Sequence, residues 1–274
     1  AQKIPACAVC FIGEGKFFEN AIEYGIENDG ASQAHGLFEA LREVDESGCE
    51  TAFVRCPSVS GVGLAVYNRL IRSAAFRVID LDFTIPVIGL TGQTGAGKST
   101  VCTILKDKGC HIVDTDLLAR KAVENPEVIE RLCDKFGDDI ISGGVLDRRE
   151  LARRAFATPE GTKALNLITH PEITRLAVEE IHKAESEGAK AAIIDAALLF
   201  ESPLTAVCGK TVCVAADKKI RLERIMKRDG ISESDARLRM NAQPDEEYYK
   251  SKSDIIINNN GEDLDVKFDF IQEG

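Results

Sequence analysis

The sequence predicts an α/β fold built around a doubly wound parallel sheet, with a smaller α/β segment in front of it. Two observations support this prediction. Apolar runs typical of buried strands alternate with amphipathic helical runs along most of the 274 residues. Near the middle of the chain, residues 92–99 match the pattern G-x-x-x-x-G-K-[ST], which connects a strand to a helix and cradles phosphate.

Residues 1–83 have the pattern of a small βαβα unit. Strands are predicted at 4–11 and 50–55, and helices at 17–27, 34–47 and 63–75. The last helical run ends where the segment 76–80 begins. The segment 80–84 is a plausible junction, because the strand that follows it starts a new sheet. We therefore predict one domain at 1–83 and a second domain at 84–274.

Residues 85–274 alternate again between strands and helices. Strands are predicted at 85–91, 110–113, 191–195, 211–215 and 254–257. Helices are predicted at 100–108, 117–123, 127–136, 148–156, 171–187, 216–229, 232–242 and 262–271. Apolar strands bounded by polar turns are typical of buried parallel strands, and repeated strand–helix units place them in one doubly wound sheet.

The loop at 92–99 carries the chemistry needed to bind a nucleoside triphosphate. Its glycines allow positive φ, so that backbone N–H groups converge on an anion at the N-terminus of the next helix. Lys98 can reach the outer phosphates, and the Ser99 hydroxyl suits Mg²⁺. An ordinary glycine-rich turn is the alternative. The residues expected to bind the nucleotide are Gly92, Gln93, Thr94, Gly95, Ala96, Gly97, Lys98, Ser99 and Thr100.

The composition is that of a globular protein with an acidic balance. Hydrophobic residues make up 44% of the chain, and the net charge of −11 argues against broad binding to nucleic acid or anionic membranes. The stretch 210–252 is basic in a chain otherwise dominated by acid, with eleven Lys or Arg against eight Asp or Glu. No apolar run approaches the roughly 20 residues that span a bilayer, and no signal peptide is visible, so we expect a cytoplasmic protein.

The nine cysteines are odd in number and irregular in spacing, and most lie in apolar surroundings. They therefore have the pattern of reduced core cysteines in a cytoplasmic protein. Cys7 and Cys10 form a C-x-x-C pair, but no second pair accompanies them in the sequence. We interpret this pair as part of a buried strand, and a zinc or redox site is the alternative.

Two carboxylates follow predicted strands at the edge where ligands bind in an open α/β sheet. Asp116 comes after the strand at 110–113, and Asp195 ends the strand at 191–195. A carboxylate at the position of Asp116 can accept the proton of an attacking hydroxyl or help to hold Mg²⁺. Asp114 and Thr115 have a simpler interpretation as a helix N-cap.

Residues 87–261 resemble the dephospho-coenzyme A kinase family through a series of motifs in one order. The motifs are Ile88-Gly-Leu-Thr-Gly92, Val113-Asp-Thr-Asp116-Leu-Leu-Ala-Arg120, Leu146-Asp-Arg148-Arg149-Glu-Leu151, His170-Pro171, Asp195-Ala-Ala-Leu-Leu-Phe-Glu201, Arg224 with Arg228 and Asp229, Arg239-Met-Asn-Ala-Gln243, and Asp254-Ile-Ile-Ile-Asn258-Asn259-Asn260-Gly261. Ala197 stands where the family usually has proline. The ordered series is far more specific than any one motif.

The resemblance implies a P-loop kinase with a helical acceptor domain and a lid. Such an enzyme uses ATP and Mg²⁺ to phosphorylate the ribose 3′-hydroxyl of dephospho-coenzyme A, a small-molecule substrate. The resemblance implies that Asp116 orients the hydroxyl, Lys98 neutralises phosphate oxygens and Arg228 stabilises the transferring group. The other implied contacts are Asn258 with the nucleotide, Asp116, Arg120, Arg148 and His170 with the acceptor, and Ser99 and Asp195 with the metal.

Some of these residues have structural alternatives. Arg224 and Arg228 could lie on a solvated helix face beside neighbouring acids. For His170 we prefer a hydrogen-bonding role or a place at a helix start beside Pro171, and contact with the acceptor is the alternative.

Residues 33–80 resemble the C-terminal domain of bacterial threonylcarbamoyl-AMP synthases. The resemblance depends on His35-Gly-Leu-Phe-Glu-Ala-Leu-Arg-Glu-Val-Asp45 and on Gly61-Val-Gly-Leu-Ala-Val-Tyr-Asn68-Arg69-Leu-Ile-Arg72-Ser-Ala-Ala75. The large catalytic domain of that family has no counterpart in this sequence, so we expect a packing or regulatory domain.

Two other functions stay open at this point. One is a different small-molecule kinase, which would share the loop and the lid but differ in the acceptor pocket at 117–190. The other is a nucleotide-gated module without catalysis, in which the N-terminal segment is the working part. The sequence does not specify an oligomeric state.

Overall fold

The computed structural model of the protein describes residues 6–18, 20–49, 51–74 and 81–261. The chain divides into two compact units, Ala1–Ile79 and Asp80–Gly274. Among the described residues, no helix has the length and apolar composition needed to cross a membrane.

The first unit contains a three-stranded parallel sheet in the order β2-β1-β3. Its elements are β1 (Ala6–Cys10), β2 (Ala21–Glu23), α1 (Gly30–Ser47), β3 (Thr51–Val54) and α2 (Gly61–Ser73). Val9, Tyr24 and Leu37 are almost fully buried in the core that the sheet and the two helices share. The Asp29 carboxylate caps the start of α1, and Gly48 ends that helix in the left-handed region.

The helix predicted at 17–27 is wrong. The chain there forms a short 3-10 turn, Gly15–Phe17, and then the strand β2. Ile22 and Tyr24 are buried while Glu23 between them is exposed, which is the two-residue period of a strand. Pairing with β1 stabilises this three-residue strand, and local periodicity over so few residues does not reveal such pairing.

The second unit is built on a five-stranded parallel sheet in the order β10-β9-β4-β8-β5. Its strands are β4 (Val87–Thr91), β5 (His111–Asp114), the antiparallel pair β6 (Ile141–Ser142) and β7 (Val145–Leu146), β8 (Ala192–Asp195), β9 (Lys210–Ala215) and β10 (Ile255–Asn258). Its helices are α3 (Lys98–Asp107), α4 (Thr115–Ala122), α5 (Pro126–Phe136), α6 (Arg148–Ala155), α7 (Pro159–Ser186), α8 (Lys218–Asp229), α9 (Glu233–Asn241) and α10 (Glu246–Lys252). The predicted elements at 76–80 and 262–271 lie outside the described residues.

Helix α7 begins much earlier than the predicted start at residue 171. The Thr158 hydroxyl accepts a hydrogen bond from the N–H of Gly161, and Pro159 occupies the first helical position, where its missing N–H costs nothing. Pro171 therefore lies inside a helix of 28 residues rather than at its beginning. A proline does mark the start of this helix, but it is Pro159, and Pro171 gives a misleading signal.

The order of the sheet brings the predicted site residues to one edge. All five strands are parallel, and β4 lies between β9 and β8, with β5 beyond β8. The carboxyl ends of β4, β8 and β5 therefore meet at the same edge. Ile88, Leu90, Ile193 and Val212 are at most 1% exposed and fix the strands beneath it.

Candidate active site

The loop after β4 closes tightly because two of its glycines occupy the left-handed region. Gly95 has φ 79° and Gly97 has φ 93°. A Cβ on Gly95 would lie 2.7 Å from the carbonyl oxygen of Arg221, and a Cβ on Gly97 would lie 2.0 Å from the side-chain nitrogen of Asn259. Any side chain at either position would push α8 or the segment after β10 away from the loop.

Three side chains hold carbonyl groups of this loop. The Nε of Arg221 donates to the Thr94 carbonyl at 3.0 Å, and the Nδ2 of Asn259 donates to the Ala96 carbonyl at 2.9 Å. The Nη1 of Arg224 donates to the carbonyls of Ala96 at 3.3 Å and of Asn259 at 3.0 Å. Arg224 thus braces the loop instead of lying on a solvated helix face. Because C=O and N–H point in opposite directions in a trans peptide, the N–H groups of Gly95 and Gly97 point away from the side chains that hold the Thr94 and Ala96 carbonyls.

A lysine and a carboxylate meet inside the cleft. The Nζ of Lys98 forms an ion pair with the Oδ1 of Asp195, and each side chain is 21% exposed. The Thr115 hydroxyl donates to the Asp195 carbonyl at 2.8 Å, which ties the end of β8 to the start of α4. Burial, with a smaller effect of the Asp195 charge, raises the pKa of the Cys102 thiol to about 12. That thiol therefore stays protonated and is no nucleophile.

The two aspartates at the start of α4 have different roles. The Oδ1 of Asp114 accepts hydrogen bonds from the N–H groups of Asp116 at 2.9 Å and of Leu117 at 3.0 Å. Asp114 is therefore the helix N-cap, as the simpler interpretation of the sequence held. The Asp116 residue lines the cleft.

A cleft of about 850 Å³ brings most of the predicted site residues together. Its lining in the described part of the chain is Gly92, Gln93, Thr94, Gly95, Gly97, Lys98, Ser99, Thr100, Asp116, Asp195, Ala197, Arg224, Arg228, Gln243, Asn259 and Gly261. The loop, the carboxylates after β5 and β8, and the arginines of α8 thus face one space. Ala96 is buried and takes part only through its backbone.

Arg228 enters the cleft from α8 and is bound to its neighbour in sequence. Its Nε and Nη2 donate to the two carboxylate oxygens of Asp229 at 2.7 and 2.9 Å, and Arg239 donates to the same carboxylate at 2.6 Å. These hydrogen bonds, those of Arg228 above all, lower the pKa of the Asp229 carboxyl. The Arg228 side chain is 60% exposed, so the ion pair is weak and an incoming phosphate can compete for the guanidinium.

Arg120 and Arg148 lie together, outside the described lining of the cleft. The Nη2 of Arg148 donates to the Arg120 carbonyl at 3.2 Å and to the Glu124 carboxylate at 3.3 Å. These bonds join α4 to the start of α6. Both arginines are exposed and can present positive charge to an anionic molecule.

His170 lies in the middle of α7, so the predicted place at a helix start is wrong. The residue is half-buried, and burial lowers the pKa of its imidazole. The ring is therefore neutral near pH 7. His170 is not among the described residues that line the cleft.

The structure places Asn258, a predicted nucleotide contact, away from the loop and its neighbour Asn259 against the loop. Asn258 is exposed at the end of β10 and is not among the described lining residues. Asn259 is 5% exposed and faces the loop. Successive side chains along an extended chain point to opposite sides, so a shift of one residue decides which asparagine reaches the loop.

Two loop-binding residues were not assigned from the sequence. The Oε1 of Gln243 accepts a hydrogen bond from the Thr94 N–H at 2.7 Å, and Arg221, which binds the Thr94 carbonyl, is 1% exposed. A signal for Gln243 existed in the motif at 239–243. For Arg221 the signal was weak: an arginine one turn before Ile225, on the buried face of a charged helix.

Comparisons with known proteins match the two units separately. The family model for dephospho-CoA kinase matches residues 86–265, and the model for the threonylcarbamoyl-AMP synthase C-terminal domain matches residues 3–75. A dephospho-CoA kinase of Corynebacterium glutamicum is 40% identical over 181 residues, which cover 65% of this chain and 90% of that protein. A dephospho-CoA kinase of Thermus thermophilus is 39% identical and is covered over 86% of its length, with 65% of this chain. The crystal structure of TT1252 from Thermus thermophilus has a TM-score of 0.56 and 36% identity, covering 65% of this chain and 90% of that chain.

Proposed function

Because this chain belongs to the dephospho-CoA kinase family, we propose how its own residues carry out the reaction of that family. The enzyme has a P-loop kinase fold and uses ATP to phosphorylate dephospho-CoA in the biosynthesis of CoA. Phosphoryl transfer depends on in-line positioning and on neutralising charge. The observation that supports the proposal best is that Lys98, Asp116 and Arg228 share one cleft with the glycine loop.

The loop would hold the phosphates of ATP. Its backbone N–H groups and the N-terminus of α3 supply partial positive charge, and Lys98 supplies a full charge. The ion pair with Asp195 keeps the Lys98 ammonium inside the cleft, within reach of the outer phosphates. The contacts are proposed for residues 92–100, with Asn259 supporting the loop from behind.

Asp116 would accept the proton of the ribose 3′-hydroxyl. Its carboxylate belongs to a residue that lines the cleft, while the Asp114 cap fixes the turn of α4 that carries it. The hydroxyl oxygen could then attack the γ-phosphorus, the bond from that phosphorus to the β,γ-bridging oxygen would break, and ADP would leave while Arg228 stabilises the transferring group. A fork-shaped guanidinium suits this second role, because it can bind two phosphate oxygens at once.

Ser99 and Asp195 would hold Mg²⁺. A hydroxyl and a carboxylate are the hard oxygen ligands that this ion prefers. Among the described residues no cluster of three or more His, Cys, Asp or Glu side chains forms a metal site. This fits an ion that takes its other ligands from nucleotide phosphates and water, where it supplies neutralising charge.

Arg120 and Arg148 would bind the anionic part of dephospho-CoA. They are exposed, lie side by side at the junction of α4 and α6, and belong to the helical part that follows β5. His170, as a neutral imidazole, would contribute a hydrogen bond rather than a charge. We assign residues 84–274 to the kinase and residues 1–83 to a packing or regulatory domain, and we place the protein in the cytoplasm.

The reaction is tested by ATP-dependent formation of CoA from dephospho-CoA with Mg²⁺ present. We expect Asp116→Asn to lower kcat by about a hundredfold or more, because a proton acceptor is lost, while affinity for an ATP analogue stays nearly unchanged. Lys98→Ala should weaken both binding and turnover. The matched control is Glu127→Gln, another carboxylate in the first turn of a helix, which should match the wild type.

Wild-type protein that is inert toward dephospho-CoA would overturn the proposal, and phosphorylation of a different hydroxyl compound would point to another small-molecule kinase. Wild-type turnover in Asp116→Asn would remove Asp116 from its proposed role.

A further inference from the structure

Arg221 is a buried cation that forms no direct ion pair with a carboxylate among the described residues. It lies on α8, is 1% exposed and is one of the largest fully buried side chains in the described part of the chain. No carboxylate forms a direct ion pair with it there, although Glu246 of α10 acts on it through space. Its Nη2 atom is buried and has no hydrogen-bond partner among the described residues.

The other nitrogens of Arg221 contact the phosphate loop directly. The Nε donates to the Thr94 carbonyl at 3.0 Å, and the Nη1 donates to the side-chain oxygen of Gln93. Gln93 donates in turn to the Pro244 carbonyl at 2.7 Å. Arg221 therefore joins α8, the loop and the turn after α9 through one buried network.

A buried guanidinium that no carboxylate contacts directly is costly, and burial lowers the pKa of Arg221 although the Glu246 charge opposes this. Arg221 bonds the Thr94 carbonyl and the Gln93 side chain, and both of these residues line the cleft. An anion bound in the cleft would face the charge across these two residues, in surroundings that screen it poorly. In the function proposed above, that anion is the polyphosphate of ATP.

We propose that Arg221 is a positioning residue for the outer phosphates of ATP. Its charge acts through the loop residues that it contacts, and its Nε bond holds the Thr94 carbonyl in place. The guanidinium does not touch the reacting atoms. The proposal rests on the function proposed above, since it assigns this residue to the ATP half of the site and not to the acceptor half.

A purely structural role would give a different result. If Arg221 only tied α8 to the loop, its loss would lower the melting temperature and affect the binding of both substrates alike. If Arg221 acts on the phosphates, its loss weakens the binding of a nucleotide more when that nucleotide has more phosphate groups in the loop. Adenosine diphosphate and adenosine monophosphate separate these cases, because only the first has an outer phosphate.

The experiment compares Arg221→Gln, which keeps two N–H donors and loses the charge, with Arg221→Lys, which keeps the charge and loses the fork. Calorimetry measures the binding of both nucleotides, and steady-state kinetics measures kcat and the two KM values. We expect Arg221→Gln to weaken ADP binding and raise the KM for ATP by about tenfold, as loss of a charge-assisted interaction does. AMP binding and the KM for dephospho-CoA should stay within about twofold, which is near the error of such free energies. Arg221→Lys should restore most of the ADP affinity.

The matched control is Arg237→Gln on α9, whose exposed side chain pairs with Glu233 and which should behave as wild type. ADP affinity unchanged in Arg221→Gln, or equal losses for ADP and AMP, would overturn the proposal. If Arg221→Gln does not fold, the test depends on Arg221→Lys alone. ADP binding about tenfold weaker in Arg221→Lys than in the wild type, although the charge is retained, would contradict the proposal. If the wild-type protein binds ADP but forms no CoA, the proposed function is contradicted, while the proposed role of Arg221 in phosphate binding is not.

Discussion

At the scale of single residues, the segment at 114–116 shows how position decides chemistry. Asp114 and Asp116 lie two residues apart, yet one carboxylate is used up by the N–H groups of its helix and the other belongs to the lining of the cleft. The cap also fixes the direction of the first turn of α4. Asp114, which takes no part in the chemistry, thus helps to position Asp116, the proposed proton acceptor.

His170 should make stability depend on pH in mildly acidic solution. Burial lowers its pKa in the folded protein, below the ordinary value of about 6.5. In acid the unfolded chain therefore takes up a proton that the folded chain refuses. The stability due to the neutral ring is complete above about pH 6.5 and is lost as pH falls toward the lowered pKa.

We expect the free energy of unfolding of the wild type to fall more steeply between about pH 7.5 and pH 5.5 than that of His170→Gln. Urea unfolding at several pH values measures it. His35→Gln, at an exposed position of α1, is the control and should keep the wild-type slope. Equal slopes for His170→Gln and the wild type would contradict the expectation.

At the scale of elements, α7 is the longest helix of the described residues and contains a proline. Pro171 has no N–H to donate to the carbonyl of Leu167, so one rung of the helix is missing. The helix nevertheless continues to Ser186, because its buried face packs Ala177, Val178 and Ile181 into the core. Tertiary packing here outweighs an unfavourable local preference.

Pro171→Ala should stabilise the protein by about 1 kcal/mol, less than the ~3 kcal/mol that an interior proline costs in a model helix, since this helix is already adapted to it. Urea unfolding measures the change. Pro159→Ala is a matched control at the first helical position, where no hydrogen bond is gained, and it should not stabilise. Pro171→Ala with no gain in stability would show that the missing bond is replaced by another contact.

Elements with strong local signals were predicted well from the sequence. Helix α5 begins after the Asn125 cap with Pro126 in the first position, and α6 begins after the Asp147 cap. Both prediction and structure place their starts within one residue. The strand β2 and the start of α7 were missed, because the first depends on pairing with β1 and the second offered two competing prolines.

The candidate site was predictable as far as its residues follow one another in sequence. The loop at 92–99 is a contiguous pattern. The hydrogen-bond partners of Thr94, in contrast, are Arg221 and Gln243, which lie 127 and 149 positions further along the chain. Such distant partners leave no periodic signal in a single chain. Asn259 was missed for a smaller reason: the resemblance assigned the contact to its neighbour Asn258, and the contact of Asn259 with the loop depends on tertiary structure.

At the scale of the whole molecule, two units with separate relatives are joined in one chain. Both resemblances inferred from the sequence are confirmed by the family matches. The described lining of the cleft runs from Gly92 to Gly261 and lies within the second unit. The chemistry of the site can therefore be tested without the first unit.

The fragment 84–274 should turn over dephospho-CoA with kcat and both KM values within about twofold of the full chain. Cutting at 84 keeps the Thr84 N–H that donates to the Glu185 carboxylate at 2.6 Å at the end of α7. Parallel assays of the two proteins, with circular dichroism to check folding, measure the effect. A folded fragment with strongly reduced turnover would assign the first unit a part in catalysis.

The position of β10 has a consequence for how the ligand is gripped. Within the described residues this strand pairs with β9 alone, and the residue after it, Asn259, supports the Ala96 carbonyl. Margins of a sheet open more readily than its interior. Local opening of β10 would therefore weaken the binding of the triphosphate. A bound triphosphate would in turn make this opening rarer, because ligand binding and local opening are thermodynamically linked.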